Sequence, residues 1–318
     1  MSRLRLLTGM AIGLTFGLIV LGAWVRATNS GLSCPDWPTC YGFWVPLPSD
    51  IPLDAGYAYY QVMLEWVHRL IAGVFLGPLI LLIAWCCWRC RKEAAGLPFY
   101  GFALALLLFV QVALGGITVL DRNSPWSVSL HLTTALLLFS TMWLIFERAA
   151  SRPAVLIGAR LKPLGLIGWL LLLATIASAA VMSKSGASLA CSSPFLCEDK
   201  LVPDLGDPLV RLHVTHRLLA FATFIMLAIL GWRVRHEARL SGLDRLIGLL
   251  LVLQIALGML TVFFEVPIAL ALAHQANGIL LFATVTWLLA RILQAGTAQP
   301  APAGIDAAPP EPLPPKPA

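Results

Sequence analysis

The sequence predicts an all-α polytopic membrane protein, with eight transmembrane helices packed as two pseudo-twofold-related four-helix bundles. Three observations carry that expectation. Of 318 residues, 59% are hydrophobic and 12% charged, and the mean hydropathy is +0.83, far more apolar than a soluble domain needs to be. Eight apolar stretches are each long enough to cross a hydrocarbon core of roughly 30 Å as a helix. The chain also repeats itself. Gln111-Val-Ala-Leu-Gly-Gly-Ile-Thr-Val119 returns as Gln254-Ile-Ala-Leu-Gly-Met-Leu-Thr-Val262, and Glu65-Trp-Val-His68-Arg69-Leu70 returns as His213-Val-Thr-His216-Arg217-Leu218.

In chain order the stretches cover about 6–26, 61–88, 99–120, 127–147, 164–183, 209–232, 244–264 and 268–292. Helices are expected because backbone polar groups in lipid must be paired within their own segment. Arg3 and Arg5 precede the first run as they would in a signal peptide, but the run is too long and no small-x-small pattern follows, so it reads as a retained helix. Arg89, Arg91, Lys92, Arg148, Arg152, Arg160, Lys162, Arg233, Arg235, Arg239 and Arg245 fall in loops on the side of Arg3 and Arg5; only Arg26, Arg122, Lys184, Lys200 and Arg211 flank the other. That bias places both termini in the cytoplasm. The net charge of +6 then reflects inner loops rather than nucleic-acid binding.

A unit of four crossings re-enters with its original orientation, which implies a pseudo-twofold axis along the membrane normal. The expected organisation is a first bundle over 1–150, a second over 151–294, and a Pro- and Ala-rich disordered cytoplasmic tail over 295–318.

Four histidines occupy equivalent places: His68 and His131 in the first half, His216 and His274 in the second, all near the extracytoplasmic ends of their helices. Ionisable residues inside membrane segments are costly and tend to mark function. Two imidazoles facing each other across a bundle suit a haem with two axial histidines. Zinc is the competing reading and would need three or four ligands converging on one ion. His213 and His236 stand outside the pairing, and His236 lies in a basic inner loop. Arg69 and Arg217 each follow a candidate ligand and suit either haem propionates or snorkelling to the headgroups.

The cysteines repeat as well. Cys34 and Cys40 lie in the first long outer loop, Cys191 and Cys197 in its counterpart, with the same spacing. In an oxidising compartment they read as two intraloop disulfides. Whether these are loop staples or a redox couple is open at this level. Cys86, Cys87 and Cys90 sit at the cytoplasmic end of the second helix and read as reduced thiols without a role. The halves differ one turn before the first histidine. Glu65 shares a helix face with His68, whereas the matching residue in the second half is His213. A carboxylate beside a haem and away from bulk water can accept a proton or stabilise a developing positive charge.

Together these residues resemble the heme A synthase family, in its class with cysteine pairs in two outer loops. The resemblance rests on Asn29-Ser-Gly-Leu-Ser-Cys34-Pro-Asp-Trp-Pro-Thr-Cys40, Glu65-x-x-His68-Arg69, His131, His216-Arg217, His274, Cys191 and Cys197, and it spans all eight helices. It implies an enzyme that oxidises the C8 methyl of heme O, by successive hydroxylations, to the formyl group of heme A. His68 and His131 would hold the iron of the substrate haem with Glu65 as the catalytic residue, and His216 and His274 would hold the iron of a haem b that relays electrons. The resemblance further implies a bacterial-type plasma membrane location, association with heme O synthase and cytochrome oxidase assembly factors, and a possible homo-oligomer. A di-haem b electron-transfer protein without chemistry of its own would use the same four histidines. A transporter would place its site nearer the midplane, and heme O synthase would carry aspartate-rich diphosphate motifs, which the chain lacks.

Overall fold

The computed structural model describes residues 1–150, 156–158, 160–193, 197, 200, 203–237, 240 and 242–297. Most of the expected tail lies outside the described residues, as do Arg152 and Arg239. Among the described residues, eight helices are long and apolar enough to cross a membrane: α1 Ser2–Ala27, α2 Tyr59–Arg89, α3 Leu97–Leu120, α4 Pro125–Arg148, α5 Leu161–Lys184, α6 Pro208–Val234, α7 Leu243–Phe263 and α8 Ile268–Gln294. Two starts show how local chemistry sets a boundary. α4 begins at Pro125, before its apolar run, because the Ser124 hydroxyl accepts the Ser127 N–H and proline supplies the first helical φ. At α6 the Asp207 carboxylate accepts the Leu209 N–H at 2.7 Å and Pro208 follows.

α1 packs on α2 and α4, and α3 packs on the same two, closing a ring of four; α5 to α8 repeat the ring. The rings meet where α4 touches α8, α1 touches α8 and α4 touches α5. A twofold axis exchanges the last two contacts and maps the first onto itself, so the axis runs between α4 and α8. These are the most buried helices, with 56% and 67% of their apolar windows inside the protein against 39% or less elsewhere. Phe139, Met142, Ile145, Phe282, Leu288 and Ile292 are buried on these two helices, the Trp143 and Trp287 rings stack at 5.5 Å across the junction, and the Trp287 indole N–H donates to the buried Glu147 at 2.6 Å.

The duplication extends to backbone detail. The α3–α4 turn places Arg122 and Asn123 at positive φ, and the α7–α8 turn does the same with Glu265 and Val266. The Asn123 and Val266 N–H groups close equivalent bonds to Thr118 and Thr261, both at 2.7 Å. After α1 and α5, Asn29 and Gly186 match at φ 53° and 76°.

One departure stands out. α2 contains a π-helical turn over Ile71–Leu76, just past His68. Pro78 has no N–H to offer the carbonyl one turn back, and its ring crowds that carbonyl, so the preceding turn widens. In the register that pairs His68 with His216, Met226 replaces the proline, and α6 remains α-helical throughout.

Candidate active site

All four paired histidines lie in the helix segments on the side of the long loops. Glycines make the room. A Cβ on Gly22 of α1 would stand 3.1 Å from His68 Cε1, one on Gly115 of α3 3.3 Å from His131 Cε1, and one on Gly258 of α7 3.0 Å from His274 Cε1. The rings therefore lie against bare backbone, and even alanine would shift them.

Hydrogen bonding around the rings is incomplete. Gln111 Nε2 lies 3.2 Å from His131 Nε2, Gln254 Nε2 lies 3.2 Å from His274 Nε2, and the Ser178 hydroxyl lies 3.1 Å from His216 Nδ1. The Nδ1 atoms of His68, His131 and His274 are buried with no partner among the described residues. Buried polar atoms are nearly always satisfied, so orphans in a bundle interior point to something the protein expects to hold. Among the described residues no three His, Cys, Asp or Glu side chains converge as zinc requires. Imidazoles that come in twos fit the axial positions of a haem.

Glu65 is buried, 5% exposed, and engages the disulfide loop. One carboxylate oxygen accepts from the Ser33 hydroxyl at 3.0 Å and the Cys34 N–H at 2.9 Å; the other pairs with Arg69 at 2.6 Å. Arg69 donates also to the carbonyls of Asp36 at 2.6 Å, Thr39 at 2.7 Å and Cys34 at 3.2 Å. Arg217 likewise donates to the Cys191 and Ser193 carbonyls at 3.3 and 2.7 Å. Both arginines thus fasten a loop onto a histidine-bearing helix. The terminal N–H groups of Arg69 are all engaged, leaving Nε–H for any further acceptor. His213, at the place of Glu65, bonds through Nδ1 to the Ala187 carbonyl at 3.0 Å. It ties helix to loop as Glu65 does, without a carboxylate.

The loops are built to stay in place. Cys34 with Cys40 and Cys191 with Cys197 form disulfides at Cα separations of 4.7 and 4.4 Å. All four residues are buried, the setting of a staple rather than of thiol exchange. Asp36 organises the first loop by accepting from the Tyr41 N–H at 2.6 Å, the Gly42 N–H at 2.9 Å and the Thr39 hydroxyl. Burial pushes its carboxyl up, but these donors outweigh burial and hold it below the usual carboxylate range. Cys86, Cys87 and Cys90 are free thiols at the far end of α2, with Cys87 buried, and His236 sits beside Arg235 outside the bundle.

Sequence reasoning had no role for Ser33, the Cys34 amide, Ser178 or the two glutamines. The glutamines left a signal. Each opens the repeated motif and precedes a paired histidine by the same interval, in a helix that turns back antiparallel beside it.

Comparison with known proteins agrees with this geometry. A family model described as cytochrome oxidase assembly protein matches residues 5–286. A heme A synthase of Shewanella oneidensis is 30% identical, covering 87% of this chain and 93% of its own length. Heme A synthases of Lysinibacillus sphaericus and Rhodopseudomonas palustris are each 27% identical, over 91% and 90% of this chain and 96% and 89% of their own. With eight apolar helices in two matched rings, two stapled loops and a sequence match running from the first helix into the last, the chain belongs to the heme A synthase family.

Proposed function

We propose that the protein oxidises the C8 methyl of heme O to the formyl group of heme A in a bacterial plasma membrane, with both termini cytoplasmic and the histidine pairs near the outer face. The observation that carries this reading is the broken symmetry at one position: a buried carboxylate, Glu65, one turn from His68, against His213 beside His216. His68 and His131 bind the substrate haem in the bundle over 1–150. A haem b held by His216 and His274 in the bundle over 151–294 supplies one-electron redox chemistry.

Turning a methyl into a formyl group with one water removes four electrons, which an external electron acceptor must take up, and four protons. Glu65 accepts protons as water adds to the oxidised methyl carbon, and Arg69 with the Cys34 N–H keeps its carboxylate in place. The apolar wall of the bundle excludes bulk water, so the proton acceptor has to be built in. Arg69 and Arg217 hold the loops against the histidine-bearing helices, and the Arg69 Nε–H would be available to bind a haem carboxylate. Heme O synthase and oxidase assembly factors are the partners to which such a substrate and product point.

Haem extraction tests the assignment. Protein produced together with heme O synthase should yield haem b, heme O and heme A in acid acetone, and protein produced without it should yield haem b alone. Haem b alone under both conditions would mean a di-haem electron-transfer protein instead.

A further inference from the structure

The first bundle has one seam that its helices do not close. α1 packs on every segment of α2, α3 packs on α4, and the α1–α4 seam faces the second bundle. α2 and α3 pack together along Gly77–Arg89, the end remote from the disulfide loop, and Tyr59–Leu76 has no comparable packing on α3. The α3 surface records the change. Gly101 faces α2 so closely that a Cβ on it would stand 2.8 Å from the Cys87 Cβ. At about 100° per residue, Val112 points within about 20° of the same direction, about three turns further on. Yet Val112 is 49% exposed, so nothing on α2 backs it as Cys87 backs Gly101.

One turn beyond Val112 the seam is covered again, by the loop rather than by a helix. Gly116 is buried, and a Cβ on it would stand 3.4 to 3.6 Å from atoms of the Trp37 indole. The His131 ring lies against the preceding residue, Gly115. Trp37 sits within the Cys34–Cys40 disulfide, and the bonds from Arg69 to the Asp36 and Thr39 carbonyls tie the chain on both sides of it to α2. The loop is thus fastened to α2 while its indole rests on α3, 45% exposed.

We propose that the α2–α3 seam, in the half nearest the loop, is a side portal through which heme O enters the first bundle from the bilayer and heme A leaves, with Trp37 as its plug. The inference rests on the haem reading above and adds a route and a gate to it. A tetrapyrrole is a flat, largely apolar disc that can pass edge-on between two helices, and one that comes from the bilayer reaches His68 and His131 without crossing water. The indole meets bare backbone at Gly116, so it can lift while the disulfide and Arg69 keep the loop in place.

The test uses full-length protein in lipid nanodiscs, loaded by production together with heme O synthase, with apomyoglobin as haem acceptor. Transfer is followed by absorbance, and what leaves is identified by extraction. Trp37→Ala should speed heme O release roughly tenfold, the factor that corresponds to about 1.4 kcal/mol of ring packing. Val112→Trp fills the seam from the side and should slow release by a similar factor. Haem b, held in the other bundle, should leave both variants at the wild-type rate. Faster release in Trp37→Ala with unchanged release in Val112→Trp would mean that haem passes under the loop from the aqueous side, and overturns the side portal. Unchanged release in Trp37→Ala overturns the plug. If Trp37→Ala does not assemble, Val112→Trp, at an exposed position, decides alone. Wild type that carries no heme O overturns the underlying reading instead.

Discussion

Replacing Glu65 by glutamine separates chemistry from architecture, because the two are nearly the same shape. The carboxylate serves three donors at 2.6 to 3.0 Å. A glutamine oxygen can keep Ser33 and the Cys34 N–H, but its NH2 then faces the Arg69 guanidinium, so one charge-assisted bond is lost, worth about 1.5–3 kcal/mol. Stripping a partner from a buried ion pair can cost about 3–5 kcal/mol. That upper range is not reached here, since Arg69 keeps the carbonyls of Asp36, Thr39 and Cys34. The variant should therefore assemble and bind both haems, with thermal stability lowered by about 2 kcal/mol. Turnover should fall far more, about 10²- to 10⁴-fold, the usual contribution of a positioned general base. The assay is the ratio of heme A to heme O in extracts from cells that also make heme O synthase, with the Soret spectrum as the control for loading. Full heme A production with both haems bound would refute the proton-accepting role.

Three further outcomes follow from the geometry. Changing Cys191 and Cys197 together to serine should lower stability by roughly 2 kcal/mol through loop entropy, and it should leave haem ligation spectra intact if the bridge is a staple; a changed rate of electron delivery at unchanged stability would show a redox role. Because the folded Asp36 pKa is lowered, its contribution to the first loop is in force above the ordinary carboxylate value of about 3.9 and is lost as pH falls through the folded value. Proteolysis of that loop should rise in acid, and Asp36→Asn should be susceptible at every pH; equal acid sensitivity in both proteins would contradict this. Gly258→Ala puts a carbon 3.0 Å from His274 Cε1 and should displace the ring, reducing the haem b content of purified protein, while Gly248→Ala on the same helix, which meets nothing within 4 Å, serves as the control.

The helix order was legible because lipid imposes a simple rule: a long apolar run has to satisfy its own backbone. Duplication made the histidine pairs legible, since two copies of one spacing carry more weight than a histidine alone. Contacts between Glu65 and the Ser33–Cys34 segment were hidden, because residues more than thirty positions apart meet only through the way the loop folds back over α2. The arginines were ambiguous for the same reason: Arg69 could be seen beside a ligand, but the loop carbonyls that engage it could not. The π turn had a visible cue in Gly77-Pro78, although a proline in a membrane helix can be accommodated in several ways, and nothing local says which one the neighbouring helices permit.

That widened turn in α2 has a consequence for anyone building chimaeras of the two halves. A bond from residue i to i+5 encloses one residue more than the α-helical bond does, so everything in α2 beyond Leu76 is advanced by one position relative to α6. Transplanting the part of α6 beyond Met226 onto α2 residue for residue, behind a retained Pro78, would turn every later side chain by about a hundred degrees, aiming core residues at lipid. A working graft has to carry one additional residue at the junction.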